Sequence, residues 1–340
     1  MKVGIVYNPV YLEHNTGEHP ESKGRLEAIV RRLKESGLWE KLTHIAPRPA
    51  IVEELLHVHD EGHIRYVREM ASSGGGNIDA DTVVSARSYD AALYAAGGVE
   101  RAVGAVMAGE VSSAFALVRP PGHHATRAQA MGFCLFNNVA VAAAHALDKY
   151  HLERVLILDF DVHHGNGTQD VFSREPRVHY ISVHQSPLYP GSGGINETAT
   201  GNMFNIPLPP GCGDAEYVCV YDEVVTPLAH RFAPRLILVS AGFDAHWADN
   251  LASMCLSISG YAQIARRIKA LADELCEGRL VLGLEGGYNL EALAGAAKVV
   301  FDVLLGNQNI EDRLGPCPSR RRTPDINSLL GQVKKVFSLV

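Results

Sequence analysis

Nowhere in its 340 residues does the chain approach the roughly 18 consecutive apolar residues of a membrane helix. Its first residues, MKVGIVYNP, put no basic segment ahead of a long apolar one, so a strand and a turn are expected there and no secretory signal. Basic residues are in short supply. Lys and Arg number 31 against 38 Asp and Glu, a formal net charge of -7. That balance argues against a dedicated nucleic-acid binder and leaves room for attraction of cationic substrates such as lysine side chains. The six cysteines, at 134, 212, 219, 255, 276 and 317, include no CxxC pair. Reduced thiols in the cytoplasm are expected, with no disulfide framework. No internal repeat, linker or break in composition divides the chain.

What the sequence does have is alternation of strand and helix patterns. Short aliphatic runs at 2–7, 114–118, 155–159, 178–183, 236–240 and 280–284 read as strands. Helical patterns lie between them: Leu26, Ile29, Val30 and Leu33 up to the stop at Gly37, then 85–108, a buried helix from Asn138, and 214–232, 259–276 and 289–305. The prediction is one α/β domain over 1–340, a doubly wound, mostly parallel sheet with helices on both faces. Residues 72–76 (SSGGG) and 78–82 (IDADT) read as loops, and the Gly/Pro/Ser-rich stretch 184–201 as a surface or active-site loop. His14 and His19 are expected to be solvated, and His57, His59 and His63 to make polar contacts on short helices. The tail after 306, with Arg320, Arg321, Arg322 and a short terminal helix, is also expected to be solvated.

The chain is organised around VLILDFDVHHGNG, residues 155–167. A buried strand runs into Asp159, Asp161 and His163, which alternate with Phe160 and Val162 and so share one face. Two carboxylates and an imidazole on one face repel one another or require a cation, since burying each unpaired would cost several kcal/mol, roughly; the alternative is an inert, salt-bridged Asp/His loop. Oxygen and imidazole donors suit a divalent metal such as zinc.

Reactive residues fall just beyond the C-terminal ends of four strands: His123 and His124 in RPPGHHA, the Asp159–His163 segment, Asp244 in AGFDAH, and Tyr288 in EGGYN. Ligands of open α/β sheets bind at that edge. Asp161, His163 and Asp244 would form a three-ligand site with a fourth position open to water, whose pKa a divalent metal lowers to about 7. A neighbouring histidine can take the proton and pass it to a leaving amine, and Tyr288 can donate to a developing oxyanion. The chemistry these groups assemble is amide hydrolysis.

The motifs EHPESKGRL, RPPGHHA, GFCLFNN, LDFDVHHGNGTQ, SVHQSPLYPGSG, SAGFDAH and LEGGYNL, taken together, resemble the zinc-dependent histone deacetylase family over most of the chain. The likeness is to the class II branch and its bacterial relatives, since Asn166 stands where class I members carry Asp. The resemblance implies the arginase-like fold and one catalytic zinc on Asp161, His163 and Asp244. It implies His124 as general base and acid, His123 as an electrostatic partner held by Asp159, and Tyr288 as oxyanion donor. A neutral Asn166 beside His124 withholds the charge that would raise its pKa. Gly132, Phe133 and Tyr189 would line a narrow acyl-lysine tunnel, with Tyr189 in place of the usual Phe. A potassium ion is implied on the Asp159 carboxylate, the Ser182 hydroxyl and the carbonyls of Asp161, His163 and Val183. Arg25 matches an arginine of the internal acetate channel, Asp81 a rim residue that meets the substrate backbone, and Leu251 a position at the tunnel mouth. His164, Cys134 and Glu285 are expected to be structural.

The expected substrates are acetylated lysines of proteins or peptides. The alternatives are an acetylpolyamine or acetoin-utilisation-type amidohydrolase, a binuclear manganese ureohydrolase, and a scaffold that only binds acetyl-lysine. No nucleic-acid or membrane partner is expected, and self-association is left open.

Overall fold

The short aliphatic runs form strands because β-branched and aliphatic side chains pack well on both faces of a covered sheet. The computed structural model describes residues 2–318 and 323–339; Arg320, Arg321 and Arg322 lie outside the described residues. Ten strands are present among them: β1 (Val3–Val6), β2 (Thr43–Ile45), β3 (Gly75–Asn77), β4 (Val83–Ser85), β5 (Ser113–Ala116), β6 (Val155–Asp159), β7 (Val178–Gln185), β8 (Met203–Leu208), β9 (Leu236–Ala241) and β10 (Leu280–Leu284). Eight of them make one sheet in the order β2-β1-β5-β10-β9-β6-β7-β8. Every pairing in that sheet is parallel, where the sequence predicts a mostly parallel one.

The strand order dictates where the helices go. The connections β2 to β5, β5 to β6 and β6 to β7 step in one direction across the sheet; β1 to β2, β8 to β9 and β9 to β10 step in the other. Right-handed crossovers therefore place the two sets on opposite faces. Packing agrees: Ser88–Met107 lies against Asn138–Lys149, while Ile258–Leu275 lies against Leu290–Leu304, which also packs on Gly24–Glu35. Strands β6, β9 and β10 are buried along their whole length, as their unbroken apolar runs require.

Several expectations are corrected. Strand β8 was not legible because Asn205 and Pro207 disguise it; as the sheet's edge strand it tolerates a residue with no N–H to donate. The segments read as loops at 72–82 contribute β3, which pairs antiparallel with β4, and so the following helix begins at Ser88 rather than Ser85. The pattern at 214–232 is two helices, Asp214–Val220 and Thr226–Phe232, joined by a π turn at Tyr221–Val225 ahead of Pro227. His14 is buried, with Nδ1 2.6 Å from Ser88 Oγ and Nε2 3.5 Å from Glu21. The terminal helix Asn327–Val336 is not merely solvated. It buries Leu330 and Val333, and Phe337 beyond it meets the ring of Phe204 at 5.2 Å.

His59 and His63 do make polar contacts, on the carbonyls of Thr126 and Leu135. Among the described residues no cysteine is in a disulfide, although the fold brings Cys317 Sγ to 3.0 Å from Cys255 Sγ.

Candidate active site

Strands β5, β10, β9 and β6 are neighbours at the centre of the sheet. The outer two send their chains to one face and the inner two to the other, so their loops diverge and leave a crevice at the carboxyl edge. His123 and His124 follow β5, Tyr288 follows β10, Asp244 follows β9, and Asp161 and His163 follow β6. The four predicted strand ends are thus brought together.

Asp161, His163 and Asp244 converge. His163 Nδ1 is 3.1 Å from Asp161 Oδ1 and 3.2 Å from Asp244 Oδ2. Donors held roughly 2.0–2.2 Å from a tetrahedral centre stand about 3.3–3.6 Å apart, close to this spacing. The remaining carboxylate oxygens are fixed by backbone N–H groups. Asp161 Oδ2 accepts from Gly286 and Asp244 Oδ1 from Val162. Asp244 Oδ2 is fully buried without a well-aligned hydrogen bond, an orphaned acceptor of the kind a cation satisfies.

Gly286 is required beside it, because a Cβ there would fall 2.2 Å from Asp244 Oδ2 and 2.6 Å from Asp161 Oδ2. Burial alone would raise the Asp161 carboxyl, but the charges of His123 and His163 hold it well below the carboxylate range. Burial and the Asp161 charge push Asp244 up to about 6. A cluster that draws this much on neighbouring positive charge fits a divalent ion. Among the described residues the potential side-chain ligands here are these three, which leaves a coordination position open and supplies no second centre of the ureohydrolase kind.

The tandem histidines are pushed in opposite directions. His123 Nδ1 is 3.1 Å from Asp159 Oδ2, which also accepts from Tyr180 Oη at 2.8 Å. Burial would lower the His123 imidazole, yet Asp161 and Asp159 outweigh it and raise it to about 10. His124 Nδ1 donates to Asn166 Oδ1 at 2.8 Å, which leaves Nε2 as an acceptor. Burial first, and then the charges of His123 and His163, lower His124 well below the ordinary range. The surroundings therefore favour the charged form of His123 and the neutral form of His124.

Aromatic rings gather around these groups. Tyr189 meets the His124 ring at 5.1 Å and the His163 ring at 6.4 Å; Phe133 meets the Tyr288 ring at 5.7 Å. Gly132 lies between His124 and Tyr189, at φ +55, where a Cβ would come 2.5 Å from the imidazole. Phe133 itself holds φ 68, unusual for an aromatic residue, and its N–H donates to Thr82 Oγ1. Asp81 Oδ1 lies 3.4 Å from the same Thr82 hydroxyl, so the β3–β4 turn reaches the aromatic lining. His19, expected in solvent, stacks edge-on to Phe133 at 4.6 Å.

Comparison with known proteins agrees with this constellation. The histone deacetylase domain family matches residues 19–304. The chain belongs to the histone deacetylase family. It is 45% identical over 298 residues to an Archaeoglobus fulgidus protein named "Probable deacetylase", covering 86% of this chain and 82% of that protein. It is 41% identical over 320 residues to histone deacetylase 14, chloroplastic, of Arabidopsis thaliana, covering 88% of this chain and 76% of the relative. The crystal structure of the HDA15 HD domain superposes with a TM-score of 0.90 at 34% identity, covering 99% of this chain and 94% of that one. As a member of this family the chain is a hydrolase acting on amides. Zinc dependence is the family's general property, and Asp161, His163 and Asp244 offer the donor set it needs.

Around this histone deacetylase core lies a buried ionic brace whose pairing was not legible in the sequence. Glu21 accepts from both Arg25 and Arg119, and all three side chains are inaccessible to solvent. Arg25 in turn donates from Nε to the carbonyl of Gly287 at 2.7 Å and from Nη2 to that of Glu285, and its guanidinium lies 5.0 Å from the Tyr288 ring centre. The brace therefore positions the Tyr288 loop from below. Asp249 holds the same loop from the other side, accepting from the N–H groups of Tyr288, Asn289 and Leu251.

Burial would raise the Glu21 carboxyl, but Arg119 and its partners lower it to about 2. Its folded value lies below its unfolded one. The stabilisation is therefore complete above about pH 4.5 and is lost as pH falls toward 2. Glu21→Gln is expected to cost roughly 3–5 kcal/mol at neutral pH, since two buried guanidinium groups lose their counter-charge. Urea unfolding of the two proteins across that pH range checks both statements.

The remaining predicted residues lie around these groups. Ser182 pairs in register with Asp159, and its hydroxyl is 2.8 Å from His184 Nδ1. His164 bonds Ser192 and Gln169. Cys134 is buried, and burial raises its thiol well above the ordinary range, which disfavours the thiolate. Glu285 accepts from the N–H groups of Gly122 and His123 and from Ser240, which fixes the GHH turn to β10. Leu251 is half-buried on the turn whose Ser253 N–H donates to Gln185, between the Tyr288 loop and the stretch leading to Tyr189.

Proposed function

We propose that the chain hydrolyses the side-chain amide of acetyl-lysine in proteins or peptides, releasing acetate and the free amine. The observation that carries this reading is the placement of His124, with Nδ1 2.8 Å from Asn166 Oδ1, and His123, with Nδ1 3.1 Å from Asp159 Oδ2, beside a three-donor metal set. Zinc held by Asp161, His163 and Asp244 would supply polarisation of the acetyl carbonyl and acidification of water.

The chain's own residues do the rest. Phe133, Tyr189 and Gly132 line the lysine stem, and Asp81 meets the substrate backbone at the rim. His124 Nε2 takes the proton of the attacking water and delivers it to the lysine nitrogen as the C–N bond breaks. His123, fixed as a cation by Asp159, offsets the negative charge that develops nearby. Tyr288 stays a phenol, because burial and the charges of Asp244 and Asp161 raise it well above the ordinary range; its O–H donates to the carbonyl oxygen. Potassium belongs, on this reading, beside Asp159 and Ser182, and Arg25 faces the path by which acetate leaves. His124→Ala is expected to lower kcat roughly 10²–10⁴-fold, and more than His123→Ala does. Steady-state kinetics giving the reverse order would exchange the two roles.

Substrate class is tested at Leu251. An uncharged residue there favours the methylene stem of acetyl-lysine and offers no partner to the second ammonium of an acetylpolyamine, which would be desolvated unpaired. Nor can Asp249 serve, since three backbone N–H groups already occupy its carboxylate. The wild-type ratio of kcat/KM is expected to favour an acetyl-lysine peptide over acetylspermidine, with both activities abolished by a chelator. Leu251→Glu is expected to move that ratio toward the polyamine by about 1–3 kcal/mol. A wild-type enzyme that already prefers acetylspermidine would replace this reading with the small-molecule amidohydrolase one.

A further inference from the structure

On the helical layer packed against β1 and β5, away from the carboxyl edge, a second group of donors converges. Glu100 projects from the helix Ser88–Met107, His145 from Asn138–Lys149, and Glu54 from the short helix Val52–Leu55. Their donor atoms all lie within 4.8 Å of one another. His145 Nδ1 is 3.6 Å from Glu100 Oε1 and 3.9 Å from Glu54 Oε1. His145 lies seven residues beyond Asn138, about 10 Å along the helix axis from the end that touches the GHH turn, so the cluster shares no residue with the active site.

Glu100 is the observation that needs an explanation. Its side chain is 1% exposed, and among the described residues neither carboxylate oxygen has a hydrogen-bond partner. Arg48 Nη2 stands 3.3 Å from Oε2, but that guanidinium is already engaged by both oxygens of Glu54. Burial, and then the charge of Glu54, push the Glu100 carboxyl up to about 8, while burial and Lys149 lower His145. Two carboxyl groups share one guanidinium, so Glu100 lacks a counter-charge of its own in a nearly dry site with His145 at its edge. The backbone is pressed into this arrangement: at Gly97 a Cβ would fall 2.2 Å from the Arg48 carbonyl oxygen, so the Arg48 segment lies directly on the helix that carries Glu100. A cavity of about 370 Å³, lined by Glu54 and His145 with Glu53, His57, Asp148 and Lys149 at its walls, leads in from the surface.

We propose that Glu54, Glu100 and His145 form a second divalent-metal site, which takes zinc or a similar borderline ion and completes its coordination with water from the cavity. Two carboxylate oxygens and one imidazole nitrogen are the ligand types such an ion takes, and donor spacings of 3.6 and 3.9 Å close onto it with small side-chain movement. The ion would neutralise Glu100 and tie three helices together. One of these, Asn138–Lys149, begins with Asn138 holding the Pro120 carbonyl of the GHH turn.

The test uses the zinc-loaded enzyme, equilibrated with increasing zinc, with bound metal measured per chain and thermal unfolding followed in parallel. Wild type is expected to bind two equivalents and to gain a few degrees in Tm as the second binds. Glu100→Gln and His145→Ala are each expected to bind one equivalent, to lose the zinc-dependent rise in Tm, and to keep wild-type turnover of the acetyl-lysine peptide. Because His145 is at the surface side of the cluster, its variant folds even where Glu100→Gln does not. Saturation of wild type at one equivalent would overturn the proposal and leave Glu100 a protonated acid sharing its proton with Glu54. Two equivalents retained in both variants would overturn it equally.

Discussion

Asp244→Ala is expected to bind one equivalent of zinc fewer than wild type and to lose amide hydrolysis by roughly a thousandfold or more. The carboxylate supplies one of the three side-chain donors found among the described residues, and its buried Oδ2 has no hydrogen bond among them. Removing it leaves a two-ligand site, with His163 facing Asp161 alone. The second oxygen matters less to the metal, but it accepts from Val162 N–H at 3.0 Å, so the alanine variant also frees a buried donor. Asp244→Asn keeps that acceptor while weakening the ligand. It separates a folding defect from metal loss, and it is expected to unfold like wild type yet hold zinc poorly. Asp161→Ala should behave as Asp244→Ala does, with a further loss of stability from the freed Gly286 N–H. The measurements are metal content after dialysis and turnover of an acetyl-lysine peptide. An Asp244→Ala protein with undiminished metal and rate would remove this residue from the site.

Tyr288→Phe is expected to keep the fold and the zinc and to lose about 10²–10³ in kcat, the typical cost of one oxyanion donor. What holds Tyr288 in place does not involve its hydroxyl. Its ring meets Phe133 at 5.7 Å and the Arg25 guanidinium at 5.0 Å, and its backbone N–H donates to Asp249. A phenylalanine ring preserves all three contacts. KM should change little, because the hydrogen bond gains its strength as charge develops on the carbonyl oxygen. Since the phenol is held protonated well above its ordinary range, it contributes no alkaline limb to the pH profile near neutrality. Near wild-type kcat in this variant would assign the oxyanion to another donor.

The sequence by itself determined the core of the α/β sheet and the four strand ends that carry reactive groups. Both are local properties: a fully buried parallel strand must be an unbroken aliphatic run, and alternation along β6 puts Asp159, Asp161 and His163 on one face. The resemblance carried by the seven motifs then gave each site residue a role. Tertiary structure decided everything that depends on which distant segments meet. No periodicity relates Glu21 to Arg119, 98 residues away, yet a buried carboxylate survives only because two guanidinium groups reach it. His14 and His19 sit in a polar loop that reads as solvated, and only the fold buries one and sets the other against Phe133. Strand β8 was hidden by its Asn and Pro, because edge position, which makes Pro207 tolerable, is a property of the sheet and not of the segment. Glu54, Glu100 and His145 belong to three helices whose outward faces look unremarkable in sequence. Close approach at Gly97 is what drives their charges together and leaves Glu100 without a hydrogen bond.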